Sequence, residues 1–161
     1  MRKIKNPWCH AEGFDCFGCS PDNPLGVHME FYEDGEEVVS CWQPSKHYQG
    51  WVNTLHGGIL STLIDEISAW VVFRKLQTTG VTSRLEVRFR RPIMTTEPRI
   101  ILRAKLLETQ RQIAVLEVKV YDSKNQLCTE GRVNYYTFPA DKAAEMGFEH
   151  CELIGEEVDI L

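Results

Sequence analysis

The 161-residue chain contains no uninterrupted apolar stretch long enough to cross a bilayer. Its longest apolar run, after His56, is broken by Asp65, Glu66 and Ser68. An excess of basic charge is also missing. Lys and Arg number 18 against 23 Asp and Glu, and the formal net charge of -5 with no dominant basic patch argues against a nucleic-acid partner. Anionic small ligands stay open, because a local cluster of cations matters more than the total. The opening "MRKIKNPWCH" is basic but has no apolar segment after it, so it does not read as a secretory signal. The expected location is cytoplasmic, with no membrane span. In that compartment the cysteines Cys9, Cys16, Cys19, Cys41, Cys128 and Cys151 are expected as reduced thiols. Internal repeats and low-complexity segments are absent.

What is present is enough for one folded domain with a sizeable core. Residues 1–24 read as a Cys-rich arm, 25–139 as the folded unit and 140–161 as an acidic tail with one short helix at "DKAAEMG". The arm's "CSPDNPLG" is dense in turn formers, so irregular structure is expected there. In "VHMEFYEDGEEVVSCW" two short apolar runs flank an Asp-Gly pair, a strong hairpin signal. A polar loop leads to a helix from about Gly57 to Gln77, with Gly80 as its terminator. In "VTSRLEVRFRRP", Leu85, Val87 and Phe89 alternate with Glu86, Arg88 and Arg90, the pattern of a strand with one buried face. "RIILRAKLLE", "QIAVLEVKVYD" and "LCTEGRVNYYTF" are three more strands, joined by hairpin-length turns. The helix is apolar on most sides, so it must be buried. The expected class is therefore α+β, an antiparallel sheet wrapped around one long central helix.

The stretch "LHGGILSTLIDEISAW" carries the chemistry. Gly57 and Gly58 open the helix, where backbone N–H groups lack internal partners and the dipole favours negative charge. Bare glycines let a ligand oxygen approach closely, so an oxyanion hole is expected. His56 is placed to support that loop or touch substrate. Gly58, Ser61, Thr62, Asp65, Ser68 and Ala69 form a small polar stripe, on which Asp65 is the candidate general base or nucleophile. Glu66 points elsewhere and is expected to pair with a cation or mark the helix rim. Asp65 lies about 10 Å along the axis from Gly58. A reacting carbonyl needs both groups within roughly 3–3.5 Å of its atoms. One helix cannot supply both, whereas two antiparallel helices across a two-fold axis can. Against this stands the plain structural reading, a tight Gly-Gly turn and an Asp that is only a hydrogen-bond partner.

His56-Gly57-Gly58, with Asp65 nine positions after the His, resembles the signature of hotdog-fold acyl-CoA thioesterases of the phenylacetate-pathway-like branch. "CFGCSPDNPLGVHMEF" resembles the leader of many members, and the likeness covers roughly residues 16 to 138. The resemblance implies a hotdog fold, hydrolysis of an acyl-CoA to free acid and CoA, and a homodimer or dimer of dimers with shared sites. Gly57 and Gly58 amides would polarise the carbonyl, Asp65 of the partner subunit would attack or activate water, His56 would orient substrate, and Thr82 would assist. Asn53, Ser61, Arg90 and Arg91 are the candidate substrate contacts, the arginines for the phosphates of CoA. Trp51, Trp70 and Phe73 are either acyl-pocket walls or plain core.

Cys9, His10, Cys16 and Cys19 place four soft or borderline ligands within eleven residues. Their spacing matches no common zinc finger, and the family leader accounts for Cys16 and Cys19 without metal. The adopted reading is no cofactor, with coenzyme A present only as part of the substrate and a structural zinc as the alternative. Two competing functions share the fold. A non-catalytic acyl-CoA-binding module would not need Asp65. A hydratase would need a differently placed His and acid pair.

Overall fold

The computed structural model describes residues 1–161. Eight strands form one sheet: β1 (Arg2–Ile4), β2 (Tyr32–Asp34), β3 (Glu37–Trp42), β4 (Gly80–Phe89), β5 (Ile100–Gln110), β6 (Ile113–Tyr121), β7 (Leu127–Thr137) and β8 (Leu153–Ile154). Their order across the sheet is β4-β7-β6-β5-β3-β2-β1-β8, and every pairing is antiparallel. The helix α1 (Gly57–Val71) lies against β3 to β7. The short α2 (Ala140–Glu145) follows β7. No helix is long and apolar enough to cross a membrane.

Helical periodicity explains α1. Leu60, Leu63, Ile64, Ile67 and Val71 recur every three or four residues and are all buried. They meet the inward residues of the sheet, among them Val38, Leu102, Leu116, Val118 and Val133. Burying each such side chain contributes about 1.5–3 kcal/mol, so packing rather than propensity holds the helix. On β6 the alternation is visible directly. Leu116, Val118 and Val120 are buried, while Glu117 and Lys119 between them form an ion pair on the outer face at 3.4 Å.

Three features differ from the sequence expectation. First, the helix reaches Gln77 as expected, but it is not α-helical throughout and Gly80 is not its cap. It passes into a wider π-helical stretch, Val72–Leu76, and stops at Gln77 in the left-handed conformation, φ 50°. The Gln77 side chain takes over the cap, donating to Arg74 O and Cys151 O and accepting from Cys151 N–H. Gly80 instead opens β4. Second, the arm and the tail are not separate from the 25–139 unit. β1 and β8 extend its sheet, and Trp8, Phe14 and Phe148 join Phe73 in an aromatic cluster at the end of α1. Third, β4 is an edge strand whose inward side is only half-buried, and Phe89, expected inward, is 53% exposed.

Candidate active site

His56 stands just outside α1 with extended backbone, and its Nδ1 accepts a hydrogen bond from Gly58 N–H at 2.8 Å. An accepting Nδ1 assigns the ring proton to Nε2. The imidazole thus caps the helix, the task usually given to a hydroxyl or carboxylate. This corrects the expectation that both glycine amides are available, because Gly58 N–H is already engaged. Gly57 N–H makes no hydrogen bond within the chain. Gly57 also lines an open cavity of about 750 Å³, with Gln49, Trp51, His56, Phe89 and Arg91 around it.

The cavity's charge is set by the end of β4. Arg90 is ion-paired with Glu130. Arg91 reaches only the neutral Gln126 Oε1 at 3.3 Å, so it keeps an unneutralised positive charge at the wall. Both arginines donate their backbone N–H to Cys128 O.

Asp65 is half-buried two turns further along α1, and its Oδ1 accepts from Thr82 Oγ1 at 2.6 Å. A β-bulge between Thr82 and Arg84 makes this contact. Strict alternation would put Thr82 and Leu85 on opposite faces. One extra residue, Ser83, lets both face the helix. Across from them on β7, Tyr135 is 6% exposed. Burial, reinforced by the negative charge of Asp65 and Glu66, pushes its phenol up and keeps it protonated. Nothing in the sequence pattern marked it.

Thus the fold brings together Asp65 with Thr82, and separately His56, Gly57 and Arg91. Neither Asp65 nor Thr82 lines the cavity. Eight residues of helix separate Asp65 from Gly57, about 12 Å at the α-helical rise.

Other expected contacts resolve differently. Asn53 adopts φ 60°, donates its N–H to Gln49 Oε1 and accepts Thr95 N–H on its carbonyl. It shapes the loop before the helix, in a conformation Asn tolerates, and is absent from the cavity wall. Ser61 donates to Gly57 O at 2.9 Å and Thr62 to Gly58 O at 3.0 Å, while Ser68 is fully buried on Ile64 O. The small stripe therefore spends its hydroxyl donors on the helix backbone, Ser61 among them. Of the aromatic candidates, Trp51 is 85% exposed beside the cavity, whereas Trp70 is 1% exposed in the core. Gln49 was not singled out by sequence.

Glu66 meets no cation. Its carboxylate accepts from Trp70 Nε1 at 3.0 Å and from the Cys16 thiol. The four-ligand set Cys9, His10, Cys16 and Cys19 is not assembled either. Cys16 and Cys19 come together with Glu66, and His10 is instead exposed on Asp22. A hydrogen bond from the Cys19 thiol, aided by backbone amides of Cys19 and Gly18, holds the Cys16 thiol below its ordinary range. The same bond and burial push Cys19 far up.

Residues 52–129 match the family model described as "Thioesterase superfamily". Among solved structures, a thioesterase superfamily protein shares 21% identity over 72% of this chain, with TM-score 0.66. That match spans only 60% of the neighbour's own length. A hypothetical thioesterase protein with coenzyme A, from Streptococcus pneumoniae TIGR4, is 19% identical over 68% of this chain and 87% of its own, TM-score 0.63. The E. coli PaaI protein from the phenylacetic acid degradation operon is 16% identical over 70% and 81%, TM-score 0.64. No curated protein matches the chain in sequence. The fold is the hotdog fold, and the resemblance to its thioesterase superfamily is borne out.

Proposed function

We propose that the protein is an acyl-CoA thioesterase, acting as a two-fold dimer with two shared sites. The observation that carries this reading is Gly57 N–H, an unpaired donor at a helix N-terminus lining an open cavity. Such a donor stabilises an oxyanion and has no structural task of its own here. The substrate carbonyl oxygen accepts from Gly57 N–H, with His56 holding the turn in shape through Gly58.

Asp65 of the partner subunit supplies the second half. It takes a proton from water as the water oxygen bonds to the thioester carbon, and the carbonyl oxygen becomes the oxyanion. The oxyanion collapses, the carbon–sulfur bond breaks, and the CoA thiolate recovers the proton. Thr82 holds Oδ1, leaving Oδ2 free for the water. Direct attack by the carboxylate, through an anhydride that water then opens, uses the same geometry.

Dimerisation is supported by the edge position of β4, where Val81 and Phe89 are 49% and 53% exposed. The helix length also supports it, since a single chain leaves Asp65 outside the cavity. Coenzyme A as the leaving group is supported by Arg91, which can meet a phosphate, and by the S. pneumoniae neighbour solved with coenzyme A. Exposed Trp51 offers a flat face to a base or acyl group. The Thr82–Asp65 hydrogen bond favours an enzyme over a binding module, because binding alone needs no oriented carboxylate.

The test is release of free thiol from a panel of acyl-CoAs by wild type, Asp65→Asn and Asp65→Ala. Removal of the carboxylate should lower kcat by about 100-fold or more. Equal rates in all three, or no turnover of any acyl-CoA by wild type, would overturn the reading.

A further inference from the structure

We propose that Cys16, Cys19 and Glu66 bind a thiophilic divalent cation of the zinc class, which fastens the N-terminal arm to α1. Their donor atoms all lie within 4.8 Å of one another, Cys19 is buried and the other two are half-buried. Cys16 Sγ stands 3.7 Å from Glu66 Oε1 and 3.6 Å from Oε2. In a tetrahedral zinc site, with Zn–S about 2.3 Å and Zn–O about 2.1 Å, the sulfur–oxygen edge is about 3.6 Å. The thiol-to-carboxylate hydrogen bond thus already holds the two groups at a separation that a zinc ion could take over.

Three independent features build the site. Gly18, inside the Cys-Phe-Gly-Cys turn, lies so close to Glu66 that a Cβ there would stand 2.3 Å from both Cδ and Oε2. Any other residue at position 18 would push the carboxylate from its present place. Next, Trp70 Nε1 donates to Glu66 Oε1 at 3.0 Å, and Trp70 is fixed by burial and by stacking on Phe31 at 4.6 Å. An outer hydrogen bond of this kind orients a ligating carboxylate. Finally, the turn is itself anchored. Val27 N–H donates to Phe17 O, Met29 N–H to Gly18 O, both at 2.8 Å, and Ser20 N–H closes onto Cys16 O at 3.0 Å. Glu66 forms no ion pair with Lys, Arg or His, so a cation would be its counter-charge.

On binding, each thiol gives its proton to solvent and its sulfur to the ion, so two protons leave per cation. Three protein ligands leave the fourth position to water. This set differs from the four-ligand alternative in the arm alone, because it reaches across to the central helix, and it does not rest on the thioesterase reading.

The experiment uses the full-length protein, reduced, stripped by chelator and titrated with Co²⁺ and then Zn²⁺. One Co²⁺ per chain should bind, with a sulfur-to-cobalt charge-transfer band that Zn²⁺ abolishes. Cys16→Ser and Cys19→Ser should remove the band. Glu66→Gln, which keeps the side-chain shape, should weaken Zn²⁺ at least about tenfold, with circular dichroism unchanged. Cys9→Ser and His10→Ala should leave affinity as in wild type. Absence of saturable binding would overturn the proposal, as would unchanged affinity in Glu66→Gln or equal loss in Cys9→Ser.

Discussion

Thr82 Oγ1 donates a 2.6 Å hydrogen bond to Asp65 Oδ1, tying edge strand β4 to the central helix at its half-buried carboxylate. If the contact orients Asp65 for attack, Thr82→Val should lower kcat by about tenfold, one hydrogen bond to a charged group, with KM little changed. Thr82→Ser should restore most of the rate. A uniform rise in KM without loss of kcat would show that the threonine serves only packing.

Gly57→Pro isolates the oxyanion donor. Proline is favoured at the first helical position, where it removes the N–H and puts its Cδ in that place. His56 already has the extended backbone that precedes a proline, φ -65° and ψ 132°. The ring would press on Phe89, whose Cζ would stand 3.3 Å from a Cβ at this position, but that side chain is exposed and can yield. Steady-state kinetics should show kcat down by about 100-fold to 1,000-fold in a protein with wild-type circular dichroism. Undiminished turnover would remove Gly57 from the mechanism.

Shared sites have a signature that no same-chain site can give. Asp65→Ala and Gly57→Pro are each expected to be inactive alone. Refolded together in equal amounts, half the dimers carry one of each, and one of their two sites then has an intact Gly57 and an intact Asp65. Activity should return to roughly a quarter of wild type. A mixture as inactive as its parents would place the whole site within one chain.

Much of this was legible in the sequence, and the reasons differ by residue. Leu60, Leu63, Ile64, Ile67 and Val71 gave the helix because burial enforces the period. The strands from β4 to β7 follow from alternation, and the β2–β3 turn from Asp34 and Gly35, the glycine at φ 56°. Alternation failed where the backbone departs from regularity. The bulge at Ser83 re-aims Thr82, whose role came only from the family likeness. The helix end near Gln77 was legible, but the π-helical stretch before it and the left-handed Gln77 cap were not, since Gly80 looked the better terminator. The availability of an amide could not be read at all. His56 and two glycines are equally consistent with two free donors, and only the folded chain shows the imidazole occupying one. The Glu66–Cys16 contact is fifty residues apart in sequence, with no local signal to announce it.

Gly131 on β7 is a packing constraint on the same helix. A Cβ there would stand 2.5 Å from Ile64 Cγ2, and Ile64 is fully buried with no room to turn. Gly131→Ala should therefore destabilise by about 1–3 kcal/mol through overpacking, although alanine suits a strand no worse than glycine. Urea unfolding with an unchanged slope and a lower midpoint is the expected result. Ile64→Ala, which removes the clashing Cγ2, should cost less in the Gly131→Ala chain than in wild type.

Glu33 sets an acid limit on stability. It sits 17% exposed on β2, with Lys75 Nζ at 2.7 Å and Arg74 also donating, and so pins the π-helical end of α1 to the sheet. Burial alone would push its carboxyl up, but the two cations outweigh it and hold the group below its ordinary 4.5. The folded value lies below the unfolded one, so its contribution is complete above the unfolded carboxylate range and fades as pH falls through the folded value. Glu33→Gln should cost about 2 kcal/mol at neutral pH and flatten the acid limb of the stability curve below 4.5, the ordinary value. Chemical denaturation from neutral to acid pH tests both. Parallel curves for the two proteins would mean that Arg74 and Lys75 stabilise nothing through Glu33.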